Sequence, residues 1–254
     1  MRFITGCFLI AAMVFSVSAQ DGIYGSFLVG QKFIDLDPLN DVIKDVWGYD
    51  GNEFPNNRWT FGGEGHLILA KRLVLGGRAF GIFDNRPWEQ KADPTKPDFI
   101  KLTAGMGVAN IGFNLLPENR FGMRLYPMVG AGVSSFIFQA KTYIDNTIST
   151  EDNFNDILLN NNDYMITLGK IGFITDISAG FDWYKPFKNF FTIIPGLDFG
   201  LMFHFEAGYS FLPINLQWRR DIDLGGEGQI YDGPDLQFSG LYLNAGFGLG
   251  LTPR

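Results

Sequence analysis

Hydrophobic and polar residues alternate along most of the chain after residue 19. In the segment 190–209, for example, Phe203 and Phe205 have one parity, whereas His204 and Glu206 have the other. Period-two alternation places successive side chains on opposite faces of a sheet, so it predicts a β-strand with one apolar and one polar face. Eight such segments are found: 23–35, 58–70, 73–83, 99–115, 121–139, 165–184, 190–209 and 237–251.

The fourth segment departs from a simple alternation. Lys101 and Thr103 share one parity, whereas Asn110 and Asn114 have the other. A β-bulge near Val108 would bring all four side chains to the same face, and we therefore expect an irregularity at that point.

Short and long connections alternate between the eight segments. The short ones are 71–72, 116–120 and 185–189, and the long ones are 36–57, 84–98, 140–164 and 210–236. An up-and-down meander with one elaborated rim has this arrangement, as do transmembrane barrels with short periplasmic turns and long external loops. We expect a short helix over 41–47 on that rim.

The N-terminal residues have the pattern of a secretory signal peptide. Arg2 precedes an apolar run from Phe8 to Phe15, and small residues lead up to Ala19. This pattern predicts a cleaved signal peptide over 1–19, followed by a mature barrel domain over 20–254. The apolar run is much shorter than the roughly 20 residues that a membrane-spanning helix needs.

Composition narrows the function classes. The chain has 254 residues, a formal net charge of −7 and no extended basic stretch, so we expect no nucleic-acid partner. The single cysteine, Cys7, lies within the predicted signal peptide, which excludes disulfides and cysteine-ligated metals in the mature chain. With only two histidines as well, the sequence predicts no metal site and no cofactor.

Alternation alone fits two barrels that face opposite ways. A soluble, lipocalin-type barrel would keep the apolar face inside, whereas a membrane barrel would expose it to lipid. The polar face here carries mainly Gly, Asn, Thr and Ser with few charges, which suits a crowded small-barrel interior better than a water-facing surface. Aromatic residues such as Trp59, Trp183 and Phe191 lie near segment ends, as in an interfacial girdle. These features favour the membrane barrel.

One stretch points to a known family. From Arg124 to Gly132 the sequence reads RLYPMVGAG, which looks like the Tyr-Pro-x-x-Gly-x-Gly strand of small outer-membrane barrels. The chain thus resembles the OmpA-like transmembrane domain and its OmpX and OmpW relatives. The resemblance implies an all-β, eight-stranded antiparallel up-and-down transmembrane β-barrel in a Gram-negative outer membrane. It also implies outer-membrane lipid and lipopolysaccharide as neighbours and the barrel assembly machinery as a partner in biogenesis.

Charged residues on the polar face are expected inside the barrel. Charges in such an interior are tolerated when they are paired and hydrogen-bonded, so they predict an internal ion-pair network or, alternatively, a narrow polar conduit. Eight strands are too few for a wide pore. The predicted interior set is Glu64, Arg78, Arg124, Lys170, Asp176, Asp198, His204 and Glu206.

The sequence gives little support to catalysis. His204 and Glu206 share a face with Ser210, but six residues of strand separate His204 from Ser210 by about 20 Å. We therefore expect a non-enzymatic protein with a structural or surface-interaction role carried by its external loops. The alternatives are a narrow barrel that binds or passes a small solute and a lipid-modifying enzyme. The acidic loop 140–164 could also bridge divalent cations to lipopolysaccharide phosphates, although its simplest role is to keep the rim soluble.

Overall fold

The structure is a computed structural model that describes most of the predicted mature chain. The described residues are 22–48, 53–87, 97, 99–116, 122–141, 155, 158, 166–187, 197–215, 217–220, 229–230 and 233–253. The predicted signal peptide and much of the long loops lie outside these residues.

Eight long strands close into a barrel. The elements are β1 Ile23–Phe33, α1 Asp37–Trp47, β2 Asn57–Leu69, β3 Leu73–Pro87, β4 Phe99–Phe113, β5 Met123–Lys141, β6 Ile166–Phe187, β7 Leu197–Asn215, β8 Trp218–Arg220, β9 Gln229–Ile230 and β10 Gly240–Pro253. Each long strand pairs antiparallel with its neighbours in the chain, and β1 pairs with β10, so the ring runs through β1 to β7 and then β10. We call the end of the barrel that carries the long connections its outer end, and the half nearer the short turns its inner half. The short strands β8 and β9 extend the sheet from β6 near the outer end. The predicted eight-stranded antiparallel barrel is confirmed.

The apolar face lies outside and the polar face inside. Phe83, Trp59 and Phe205 point outward and are 68%, 61% and 55% exposed. His204 and Arg78 point inward and are buried. An outer surface covered by Phe, Leu, Ile and Val is what a barrel presents to lipid. Of the two orientations that the alternation allows, the structure therefore agrees with that of a membrane barrel. Among the described helices, none has the length and apolarity required to cross a bilayer.

Three strands extend further outward than the sequence predicted. β7 runs over Leu197–Asn215, so residues 210–215, expected in a loop, continue the strand. In the same direction β3 reaches Pro87 and β5 reaches Lys141. β3 and β5 both stay paired with β4 as far as Phe99. β7 stays paired with β6 as far as Asn215, although the apolar run 211–214 interrupts the alternation from which strands were predicted. Residues 190–196, predicted as strand, lie outside the described part.

The predicted bulge near Val108 is wrong. β4 pairs residue by residue with β3 and with β5, without a shift in register. Lys101 and Thr103 face outward, whereas Asn110 faces inward and is buried. The alternation is therefore continuous. The inward face of β4 carries the polar Asn110 in its inner half and the apolar Ile100 at the outer end of the barrel, where the interior is hydrophobic.

A hydrophobic plug fills the outer half of the interior. Helix α1 contributes buried Leu39, Ile43 and Trp47, and the Trp47 ring stacks on Phe138 of β5 at 6.5 Å between centroids. Proline in the first turn suits the start of the helix, and Gly48 with φ 74° ends it. The helix is longer than the predicted 41–47, and it packs into the barrel mouth as well as lying at the rim. We call this set the plug: α1 residues Leu39, Ile43 and Trp47, loop residues Ile34, Leu36, Phe54, Leu236 and Phe238, and strand residues Ile82, Ile100, Leu102, Phe136 and Phe138.

Candidate functional site

The inner half of the barrel holds two polar clusters. The first, the arginine cluster, consists of Arg78, Asp176, Ser178, Glu206 and Tyr242. Arg78 of β3 forms ion pairs with Asp176 of β6 and Glu206 of β7, and its Nη1 donates a hydrogen bond to Ser178 Oγ at 3.3 Å. The Tyr242 hydroxyl lies 2.8 Å from Asp176 Oδ2, to which it donates, and the Arg78 guanidinium lies 4.9 Å from the centre of the Tyr242 ring. One cation thus bridges two carboxylates across the lumen.

The second, the histidine cluster, consists of Glu64, His66, Tyr126, Asp182 and His204. His204 and Asp182 stand opposite each other in the pairing of β7 with β6, and His204 Nδ1 lies 2.7 Å from Asp182 Oδ1. Glu64 and His66 reach the same point from β2. Glu64 Oε1 lies 3.0 Å from His204 Nδ1, and His66 Nε2 lies 3.3 Å from Asp182 Oδ2.

The Tyr126 hydroxyl holds the histidine cluster together. It donates to Asp182 Oδ1 at 2.7 Å and lies 3.1 Å from His66 Nε2 and 3.2 Å from His204 Nδ1. Gly180, the neighbour of Tyr126 across the β5–β6 pair, has no side chain, and a Cβ there would overlap the Tyr126 ring. The glycine therefore gives the tyrosine its place against the barrel wall.

Lys32 marks the boundary between the polar clusters and the plug. It is fully buried, and its Nζ donates to Ser210 Oγ at 2.6 Å. The same ammonium lies over the rings of Phe238, at 4.8 Å, and Tyr242, at 5.3 Å. A buried ammonium needs such partners because transfer from water without compensation is costly.

Five of the eight predicted interior residues meet in the two clusters, and three lie elsewhere. Glu64 and His204 belong to the histidine cluster, and Arg78, Asp176 and Glu206 to the arginine cluster. These five side chains therefore take part in the buried contacts of the two clusters.

The other three lie towards the ends of the barrel. Arg124, near the short-turn end, hydrogen-bonds to the Tyr24 hydroxyl and stacks on its ring at 4.0 Å. Asp198, half-buried at the same end, accepts a bond from the Tyr184 hydroxyl through its backbone oxygen at 3.4 Å. Lys170 lies at the outer end, 3.4 Å from Asp235 Oδ1. Asp198 and Lys170 are separated from the clusters by their height in the barrel, whereas Arg124 stands opposite Asp182 in the pairing of β5 with β6 and lies beside the histidine cluster.

Sequence reasoning missed several members of the clusters. His66 and Asp182 share the parity of the polar face, and Lys32 shares the inward parity of β1, so the signal was present in the alternation. Tyr242 also shares the polar parity of its segment, and Tyr126 was noted only as part of the stretch from Arg124 to Gly132. The sequence predicted no metal site because the mature chain has only two histidines and no cysteine. In the structure, His66 and His204 lie together with two carboxylates.

Known solved structures share the barrel fold at low sequence identity. Ail, the attachment invasion locus protein of Yersinia pestis, is 11% identical, with a TM-score of 0.37 over 91% of this chain and 98% of that chain. OprG, an outer-membrane protein of Pseudomonas aeruginosa, is also 11% identical, with a TM-score of 0.37 over 92% and 97%. Neisserial surface protein A is 7% identical, with a TM-score of 0.34 over 91% and 96%.

These likenesses concern the fold alone. The TM-scores are all below 0.5, and the eight-stranded architecture rests on the strand order of the chain itself. No protein-family model and no curated protein matches the chain.

Proposed function

We propose that this protein is a non-enzymatic, integral outer-membrane barrel with a structural or surface-interaction role carried by its external side. The observation that carries the proposal is the filled interior. From the short turns outward, the lumen holds the histidine cluster, the arginine cluster, Lys32 and then the plug. A barrel filled in this way acts as a membrane anchor that displays its loops.

The filling argues against passage of solutes. The Arg78 guanidinium crosses the lumen between Asp176 and Glu206, and the side chains of all three are at most 1% exposed. A solute would have to break these ion pairs, and separating buried charges costs several kcal/mol. It would then meet the plug, in which α1 side chains contact inward-facing residues of the wall.

The environment of the inward serine argues against hydrolytic catalysis. Ser210 is fully buried, and its hydroxyl donates to the Phe238 carbonyl at 2.8 Å while accepting from Lys32. His204 is engaged with Asp182 and Glu64 in a different layer. A nucleophile needs a base within hydrogen-bond reach and access to substrate, and a hydroxyl sealed between the plug and the clusters lacks that access.

Single-channel recording tests the sealed interior. The full chain, purified from membranes and reconstituted in planar bilayers in potassium chloride, should give no discrete conductance steps above those of protein-free bilayers. A known channel protein added to the same bilayers is the positive control. An Ile43→Asp/Leu39→Asp variant, which places two carboxylates in the plug, should stay closed because the arginine cluster still spans the lumen. Discrete steps from the wild-type chain would overturn the proposal in favour of a narrow conduit.

Surface display is tested on intact cells. A short epitope inserted after Asn146, within the predicted loop 140–164, should bind antibody without permeabilisation, whereas an epitope between Lys71 and Arg72, in the β2–β3 turn, should bind only after permeabilisation. The inverse labelling would place the elaborated rim in the periplasm and overturn the surface role. Heat-dependent mobility in SDS confirms that both tagged chains are folded barrels.

A further inference from the structure

Four side chains of the histidine cluster have the chemistry of a metal site. Glu64, His66, Asp182 and His204 each offer one ligating atom, and these four atoms lie within 4.8 Å of one another. Two imidazoles with two carboxylates form a mixed nitrogen and oxygen set, which suits divalent transition metals and Zn²⁺ in particular. Hard cations such as Mg²⁺ and Ca²⁺ favour all-oxygen sites instead.

The spacing is close to that of a four-coordinate site. With metal–ligand bonds of about 2.0–2.2 Å, the ligand atoms of a tetrahedral site are about 3.3–3.6 Å apart. His66 Nε2 and Asp182 Oδ2 are separated by 3.3 Å, and His204 Nδ1 lies 3.0 Å from Glu64 Oε1. The other separations run from 2.7 Å, between His204 Nδ1 and Asp182 Oδ1, up to the 4.8 Å limit of the set, so ion binding requires rotations of these side chains.

The four ligands come from separate parts of the barrel wall. Glu64 and His66 project from β2, whereas Asp182 and His204 project from the adjacent strands β6 and β7. Because β1 and β10 lie between β2 and β7 in the ring, an ion at this point would link two regions of the wall across the lumen. The site is therefore built by barrel closure rather than by one loop.

The charge of the cluster also calls for a cation. The carboxylates of Glu64 and Asp182 are at most 3% exposed and face neutral or titratable partners. Of the arginines in the inner half, Arg78 is paired with Asp176 and Glu206. Arg124 is the neighbour of Asp182 across the β5–β6 pair, but its guanidinium bonds to the Tyr24 hydroxyl. One divalent ion would balance the two carboxylates while both histidines remain neutral, which is the state that ligates metals.

The side chains around the four ligands also fit a metal site. The carboxylate of Glu64 is fixed from behind by Ser26 Oγ at 2.8 Å, and Tyr126 contacts three of the four groups. Such supporting bonds are the usual companions of metal ligands.

We propose that Glu64, His66, Asp182 and His204 form a binding site for one divalent transition-metal ion, best matched by Zn²⁺, inside the barrel. Ser26 and Tyr126 are positioning residues that orient the ligands. The ion would stabilise the closed barrel, because binding to the folded state alone raises stability with metal concentration.

Metal titration of the full chain tests this site. The protein is purified from membranes without an affinity tag, stripped with a chelator in detergent micelles, and titrated with zinc chloride alone by isothermal calorimetry. We expect one tight site per chain and a thermal midpoint that rises with zinc concentration. Cobalt chloride should give the visible d–d absorption of a tetrahedral Co²⁺ ion. Failure of the wild-type chain to bind either metal would overturn the proposal.

Matched variants locate the ion. His204→Asn and Glu64→Gln should each abolish the tight site, whereas Glu206→Gln, an equally buried carboxylate in the arginine cluster, should retain it. Tyr126→Phe keeps all four ligands and should weaken binding by about 10–100-fold, as expected for a supporting residue. Each variant is first shown to be folded by its heat-dependent mobility in SDS. Equal zinc binding by the wild type and by both ligand variants would assign the metal to the acidic loops and refute the interior site.

Discussion

The arginine cluster allows a quantitative test of how the interior is stabilised. Replacing Arg78 with methionine preserves much of the side-chain volume but removes the cation between Asp176 and Glu206. Both carboxylates are at most 1% exposed, so water cannot replace the lost partner. Removing one partner of a buried ion pair costs about 3–5 kcal/mol because it leaves an uncompensated charge. We expect Arg78→Met to lower the free energy of unfolding by about that amount.

A triple variant separates charge from packing. Arg78→Met combined with Asp176→Asn and Glu206→Gln removes the cation together with both negative charges, while an amide at position 176 still accepts from Tyr242. Replacing a complete buried ion network with uncharged residues often changes the free energy of unfolding little. The triple variant should therefore recover most of the stability that the single variant loses.

The assay is equilibrium unfolding in urea of chains reconstituted in lipid vesicles, followed by tryptophan fluorescence. Mobility in SDS before and after heating provides an independent measure of the folded fraction. A lower transition midpoint with an unchanged slope would identify a loss of stability in the same folded state. If Arg78→Met proved at least as stable as the triple variant, the argument that uncompensated charge determines the cost would be refuted.

Three further tests, with five substitutions in all, examine the wall and the β2–β3 turn by the same unfolding measurement. A Cβ at Gly132 would collide with the backbone oxygen of Gly107, so Gly132→Ala should cost about 1–3 kcal/mol, whereas Gly107→Ala points into open space and should be nearly neutral. Phe205 faces outward on β7, and Phe205→Arg should cost about 2–4 kcal/mol, whereas Ile214→Arg at the outer end of the strand should cost about 0–1 kcal/mol. Equal costs would contradict the assigned depth. Ala70 has φ 48° in the β2–β3 turn, and Ala70→Gly should raise stability by up to about 1 kcal/mol; a clear loss would contradict a strained turn.

The barrel could be predicted from the sequence because its determinants are local. Alternation along each strand reports which side chains share a face, and the spacing of turns reports which strands are neighbours. The outward direction of Phe205 and the inward direction of His204 follow from parity alone. Strand ends were less certain, as β7 shows, because its pairing with β6 continues to Asn215 through the apolar run 211–214, where the alternation is interrupted.

The sites depended on contacts that alternation does not encode. His66 and Asp182 are 116 residues apart, and they meet only because the closed ring sets β2 opposite β6 at the same height. Their height depends on register and strand tilt, which the residue pattern leaves open. The plug was missed for a different reason. In the outer half of β4, Ile100 and Leu102 face inward, so the polar face that defines the interior near the short turns becomes apolar near the mouth.

The division of the interior into layers makes the two proposals independent of each other. The proposed metal ion would lie in the histidine cluster near the short turns, whereas the outer seal is the plug around Trp47 and Phe138, with Lys32 and the arginine cluster between them. Carboxylates in the plug should therefore leave zinc binding intact. His204→Asn should abolish zinc binding while the bilayer recordings stay silent. A single variant that changed both properties would mean that the layers are coupled along the barrel axis, with Arg78 as the connecting residue.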